Sequence, residues 1–261
     1  MAKRTIALKQ SGFGKTRRKD AWWVTPAITF VVFTSFIVYS TWAAFQNAHY
    51  YAGPYLSPFY SPELFGDGPH SMFGPKPGWI PSFLPWSPAF LILPFPAFFR
   101  FTCYYYRGAY YKAFWADPPS CAVAEPRKGY TGEHGFPLIL QNVHRYFMYA
   151  ALLFLIFLWH DVYEAFWFNG RFGIGLGTFV LLTNTTLLTL YTFSCHSLRH
   201  LIGGKKDNLG KNKMSFACYT CVSGLNKRHM LWAWMSLFGV GFADIYVRLV
   251  SMGIWHDWRI L

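Results

Sequence analysis

Residues 145–168 read RYFMYAALLFLIFLWHDVYEAFWF, with no formally charged side chain between Arg145 and Asp161. An α-helix rises 1.5 Å per residue, so about 20 apolar residues cross a hydrocarbon layer roughly 30 Å thick. This run meets that length, and it reads as a transmembrane helix. Four other blocks of similar character occupy residues 26–45, 88–106, 174–195 and 230–252. The second contains Pro94 and Pro96, so a kinked helix is expected there.

Composition agrees with the blocks. Of 261 residues, 53% are hydrophobic and 21% aromatic, and only 13% are charged. That charged share is about half the usual value for soluble domains. The expected fold is all-α, an integral membrane bundle of five transmembrane helices. A basic segment, 1–25, precedes a single domain, 26–261, without internal repeats.

The positive charge is distributed unevenly. Of 24 Lys and Arg, seven precede the first block, six fall within 100–145 and seven within 199–228. Lys76, Arg171, Arg248 and Arg259 are all that remain for the other side and the last helix. Cytoplasmic loops retain positive charge, so the amino terminus is expected inside and the carboxyl terminus outside a bacterial plasma membrane. The net charge of +13 then has a topological origin, and nucleic-acid binding is not expected. The apolar stretch after the basic head is too long for a signal-peptide core.

Connections carry their own punctuation. The outer stretch 46–87 holds Gly53-Pro54, Gly68-Pro69 and Pro77-Gly78, and reads as an ordered lid. Asp117-Pro118-Pro119 and Thr131-Gly132-Glu133 forbid one continuous helix between 107 and 142. The stretch 201–226, with Lys205, Lys206, Lys211 and Lys213, is expected at the wet surface.

Under this topology Cys103, Cys121, Cys195, Cys218 and Cys221 all fall at or near the inner side. A reducing compartment leaves thiols for metals or for packing. His144 opens the third span, His196 and His200 close the fourth, and His229 opens the fifth. His196 and His200 are four apart and share a helix face. A mixed-ligand 2Fe-2S cluster takes two thiolates on one iron and two imidazoles on the other. The candidate metal ligands are Cys103, Cys121, Cys195, His144, His196, His200 and His229. One haem b between paired histidines is the competing cofactor, and a structural zinc site would use the same residues. Packing is the plain alternative for each one, because a buried cysteine behaves as a small hydrophobe. Cys218-Tyr219-Thr220-Cys221 has redox or zinc-knuckle spacing but lacks a second such pair. Asp244 and Arg248 are four apart and can neutralise each other inside the bundle, while Trp159, His160, Asp161 and Glu164 form an outer polar belt.

Several stretches together resemble a known family. They are Cys-Tyr-Tyr-Tyr-Arg-Gly-Ala-Tyr-Tyr from Cys103, Asp-Pro-Pro-Ser-Cys-Ala-Val from Asp117, Gln-Asn-Val-His-Arg-Tyr from Gln141, Ser-Cys-His-Ser-Leu-Arg-His-Leu-Ile-Gly-Gly from Ser194 and Leu-Asn-Lys-Arg-His-Met from Leu225. They resemble the cytochrome b-like membrane anchor of succinate dehydrogenase or fumarate reductase, respiratory complex II, in its five-helix actinobacterial form. The likeness covers roughly residues 88–261. It implies a flavoprotein and an iron–sulfur subunit as partners, quinone as electron acceptor, surrounding membrane lipid, and room for a higher oligomer of the complex. The chain would be a subunit of the enzyme without a succinate site of its own. Unlike the two-haem anchors, the first two spans lack histidine, which favours a Cys and His centre as the electron relay. Candidate quinone-binding residues are Arg107, His144, Arg145 and Tyr146, with Trp115 and Trp232 as stacking surfaces. A transporter is the rival from another class, but neither an inverted repeat nor a polar midplane site is evident.

Overall fold

The computed structural model describes residues 12–81, 83, 85–126, 134–136, 138–204, 206 and 208–261. The expected turn at Thr131-Gly132-Glu133 and the start of the basic head lie outside these. The chain divides into two compact units, Met1–Ile37 with Cys103–Gln141, and Val38–Thr102 with Asn142–Leu261.

Among the described residues four helices are long and apolar enough to cross a membrane, Val24–Gln46, Leu138–Glu164, Leu176–Phe193 and His229–Ser251. A shorter apolar helix covers Ala89–Phe101. These match the five expected blocks in order; the second is interrupted at Cys103 as well as at its prolines, and the fourth ends close to residue 195, as expected.

The second block forms α2 (Ala89–Ile92), α3 (Pro94–Phe101) and α4 (Tyr104–Tyr110), after α1 (Val24–Gln46). Pro94 opens α3, a position where a missing N–H costs nothing. Thr102 ends it by donating its hydroxyl to the Phe98 carbonyl at 2.7 Å. Cys103 then takes an extended backbone, ψ 131°, before α4 begins. The end of the fourth block repeats this design: α6 (Leu176–Phe193) is followed by α7 (His196–Gly203), with extended Cys195, ψ 136°, between them. Both cysteines are buried.

In the larger unit, α5 (His144–Glu164), α6 and α9 (His229–Ser251) form the bundle core with Val162, Ala165, Leu181, Ala243 and Val247 around Tyr55. Tyr55 belongs to a short hairpin, β1 (Tyr51–Ala52) and β2 (Tyr55–Leu56), which turns at Gly53-Pro54. A second hairpin, β3 (Trp167–Phe168) and β4 (Arg171–Phe172), joins α5 to α6. The expected lid is therefore ordered, but its stretch 55–63 is buried rather than laid on a surface. Hydroxyls explain why a polar loop can be buried. Ser57 donates to Asp244, Ser61 to Asp161, and Tyr60 to the Ala43 carbonyl at 2.8 Å. Asp244 also accepts from Tyr39 and pairs with Arg248 at 3.4 Å, so the buried carboxylate is compensated. One further helix was not expected: α8 (Lys213–Asn226), capped by the Asn212 carboxamide, which accepts from the Met214 and Ser215 amides.

In the smaller unit, the wide π-type turn Tyr111–Trp115 follows α4 and ends at Ala116 in left-handed conformation, φ 51°. The basic head is tied down rather than loose from residue 14 onward. The Gly14 amide donates to the Ala124 carbonyl and the Ala124 amide to the Lys15 carbonyl, each at 2.9 Å. Arg18 pairs with Asp20 and reaches the Ser120 hydroxyl and the Cys121 carbonyl.

Candidate functional site

At the basic end of the larger unit, α3 and α6 finish and α5 and α9 begin. His144 is the first residue of α5 and His229 the first of α9. Each imidazole is oriented by a hydroxyl whose own proton is committed elsewhere. Thr102 spends its proton on the Phe98 carbonyl, so its oxygen accepts from His144 Nδ1 at 2.9 Å. Ser194 donates to the Tyr191 carbonyl at 2.8 Å, so its oxygen accepts from His229 Nδ1 at 2.7 Å. In both neutral rings Nδ1 therefore carries the hydrogen, and Nε2 is the basic nitrogen. His144 Nε2 faces the Cys195 thiol at 3.1 Å.

An aromatic ladder joins the two imidazoles. His144 stacks on Phe99 at 4.9 Å, and Phe99 meets Tyr191 edge-on at 5.3 Å. Tyr191 stacks on His229 at 5.2 Å. Arg100 lies over the same tyrosine ring at 4.7 Å and donates to the Ala233 carbonyl and the Ser236 hydroxyl at 3.1 and 3.0 Å. His229, Trp232, Ala233 and Ser236 share one face of α9 by helical spacing. On that face the Trp232 indole nitrogen is buried without a hydrogen-bond partner among the described residues. A buried indole N–H normally has one.

The other sequence candidates fall in different settings. Arg145 and Tyr146 are exposed, and Arg145 donates to His200 Nδ1 at 3.0 Å. His196 and His200 share α7 as expected but are exposed. Arg107 and Trp115 belong to the smaller unit, where Arg107 donates to Gln141 at 3.1 Å and lies over Tyr104, and Trp115 packs on Tyr110. Cys103 is buried in that unit, and Cys121 is exposed on the loop held by Arg18.

For a metal centre, the chemistry of the donors is present and the count is not. Two hydroxyl-oriented imidazoles with basic Nε2 atoms, one of them against a buried thiol, have the supporting hydrogen bonds that metal-ligating histidines use. Yet among the described residues no three His, Cys, Asp or Glu side chains come together to hold a metal ion. Of the seven sequence candidates, His200 is exposed on α7 and turned to Arg145, and Cys121 is exposed on a loop.

Sequence reasoning passed over Phe99, Arg100, Thr102, Tyr191 and Ser194 as site residues. Arg100 alone had a readable signal, a cation inside an apolar block. The hydroxyls gave none, since Ser and Thr are common in membrane helices.

Comparison with known proteins places this geometry in a family. The family model described as actinobacterial succinate dehydrogenase subunit SdhC matches residues 24–253. A chain of the Mycobacterium smegmatis Sdh1 complex in the apo form is similar, with 45% identity, a TM-score of 0.86 and coverage of 94% of both chains. No curated protein matches the sequence. A family match over most of the chain, with a similar fold at 45% identity, means that this protein belongs to the actinobacterial succinate dehydrogenase SdhC family, the membrane subunit of that oxidoreductase.

Proposed function

We propose that this subunit anchors a flavoprotein and an iron–sulfur subunit to the membrane and delivers their electrons to a quinone bound at the Arg100, His229 and Trp232 end of the larger unit. The concentration of Lys and Arg at that end, and in the smaller unit, supports a cytoplasmic orientation for it. Donors aimed at a quinone oxygen stabilise the negative charge it gains on reduction. Trp232 carries the reading: its buried N–H lacks a partner among the described residues, and a quinone carbonyl would supply one.

The experiment is Trp232→Phe, which keeps the aromatic surface and removes the donor. Losing one hydrogen bond to a bound ligand costs about 1 kcal/mol, so quinone reductase kcat/KM falls roughly fivefold. Succinate oxidation with a soluble artificial acceptor stays at the level of the parent complex. Unchanged quinone kinetics would remove Trp232 from the site.

A 2Fe-2S cluster is the relay we propose, with Cys195 and His144, which face each other at 3.1 Å, as two of its four ligands; the other two must close in when the cluster binds, since no third donor joins them among the described residues. When bound, such a cluster carries one electron at a time between donor and quinone. Facing His144 Nε2 with a thiol favours mixed ligation over a haem held by two imidazoles. Iron and acid-labile sulfide analysis with low-temperature electron paramagnetic resonance decides between them. A Cys195→Ser complex with full iron content and an unaltered signal would refute the ligand assignment.

A further inference from the structure

Helix α8 turns polar groups toward the protein alongside its buried Val222: Tyr219, Ser223 and Asn226, half-buried, follow helical spacing on that side. Arg199 donates to the Ser223 hydroxyl at 3.0 Å and to the Tyr219 hydroxyl at 2.9 Å, and its guanidinium lies over the Tyr219 ring. Asn226 donates to the Ser194 carbonyl at 2.7 Å. These bonds fix the rotation of the helix about its axis. The face left outside carries Met214, Phe216, Ala217 and Cys221 with Thr220 among them, and Met214 is 75% and Phe216 54% exposed. Exposing that apolar surface to water costs about 25 cal/mol per Å2.

Charge identifies the medium. Lys211 and Lys213 flank the start of α8, and Lys227 and Arg228 its end. From Asn208 through Ala243 the sequence contains no Asp or Glu. Only two residues, Lys227 and Arg228, separate α8 from His229, where the membrane-length helix α9 begins. That connection holds α8 at the level where hydrocarbon meets headgroups. An apolar face with basic ends and no carboxylate matches an anionic lipid surface.

We infer that α8 is an interfacial helix that binds anionic glycerophospholipid, with Phe216, Met214 and Ala217 against the acyl chains and Lys211, Lys213, Lys227 and Arg228 on the phosphates. Partner subunits and quinone are not needed for this reading. It depends on the rotation of α8, its flanking cations and its short link to α9.

The test uses the whole complex in vesicles of phosphatidylcholine and phosphatidylglycerol, 3:1, carrying a trace of a photoactivatable lipid. The diazirine sits on either phosphatidylglycerol or phosphatidylcholine, and adducts are mapped by peptide mass spectrometry. The phosphatidylglycerol probe is expected to label residues 213–226 at least about tenfold more than the phosphatidylcholine probe, given four basic residues near the surface. Replacing Lys211, Lys213, Lys227 and Arg228 together by Gln abolishes that preference, while phosphatidylcholine labelling of α1 continues and reports an assembled subunit. Should the variant fail to assemble, raising the salt of the parent complex from 0.05 to 0.5 M reduces the same preference through screening. Equal labelling by both probes would overturn the inference. So would an unlabelled α8 beside a labelled α1, which would mean that a protein partner lies over the helix.

Discussion

Thr102 and Ser194 show how a hydroxyl can set the chemistry of a neighbour without touching a ligand. Each gives its proton to a carbonyl of its own helix end, and each thereby becomes an acceptor for an imidazole Nδ1. Removing the acceptor releases the ring to rotate or change tautomer. Thr102→Val keeps the shape and leaves the buried Nδ1–H of His144 unsatisfied. Quinone reduction should fall by about tenfold, since a lost buried partner costs roughly 1–3 kcal/mol. Thr102→Ser, which retains the hydroxyl, should restore it. Equal loss in both variants would indicate a packing fault instead. In the outer loop, burial pushes His70 below its ordinary value, helped by His160 and opposed by Glu164 and Glu63. An opened loop thus binds a proton more readily than the closed one, so this contribution to closure is complete above about pH 6.5 and is lost as pH falls through the lower value. Hydrogen exchange of the amides at 63–74 should accelerate in acid, and His70→Phe should flatten that dependence.

At the scale of elements, the breaks in the second and fourth spans matter more than the spans themselves. A continuous helix would carry Cys103 and Cys195 on a bundle face. Extended residues at these points instead leave two buried thiols at helix starts. Proline signalled a disturbance in the second span, but at residue 94 rather than at Cys103. The fourth span ends where its apolar block does, but nothing in the sequence signals that a new helix begins at His196. The outer hairpin depends on a small residue opposite it: a Cβ at Gly177 would lie 2.5 Å from the ring of Tyr55, whose hydroxyl is held by Asp257 at 2.8 Å. That ring cannot retreat. Gly177→Ala is expected to destabilise the subunit by about 1–3 kcal/mol, the usual cost of overpacking. A thermal shift of the assembled complex measures it, and an unchanged midpoint would show that α6 moves freely against the hairpin.

On the scale of the whole molecule, the distribution of cations leads to a prediction about sidedness. With the basic end placed toward the cytoplasm, an impermeant maleimide added to intact cells leaves exposed Cys121 unmodified and reacts with it after permeabilisation. Labelling from outside would reverse the proposed orientation. The five apolar blocks and the basic loops were legible from composition and spacing, because crossing a hydrocarbon layer constrains length and charge residue by residue, while the family came from resemblance of short stretches. The packing partners were not. Arg100, Tyr191 and Ser236 are more than forty residues apart in pairs, and their contact follows from helix arrangement that no local pattern encodes.

By itself the sequence determined that the chain enters a membrane, roughly where it does so, and which residue types could carry electrons or bind quinone. Those are properties of transfer free energy and side-chain chemistry, which act locally. Only the tertiary structure decided which nitrogen of His144 and His229 is basic, that the loop 55–63 is buried beside Asp161 and Asp244, and that α8 turns its apolar face outward. Each of these depends on a hydrogen bond between distant segments, whose direction is fixed only once both partners are in place.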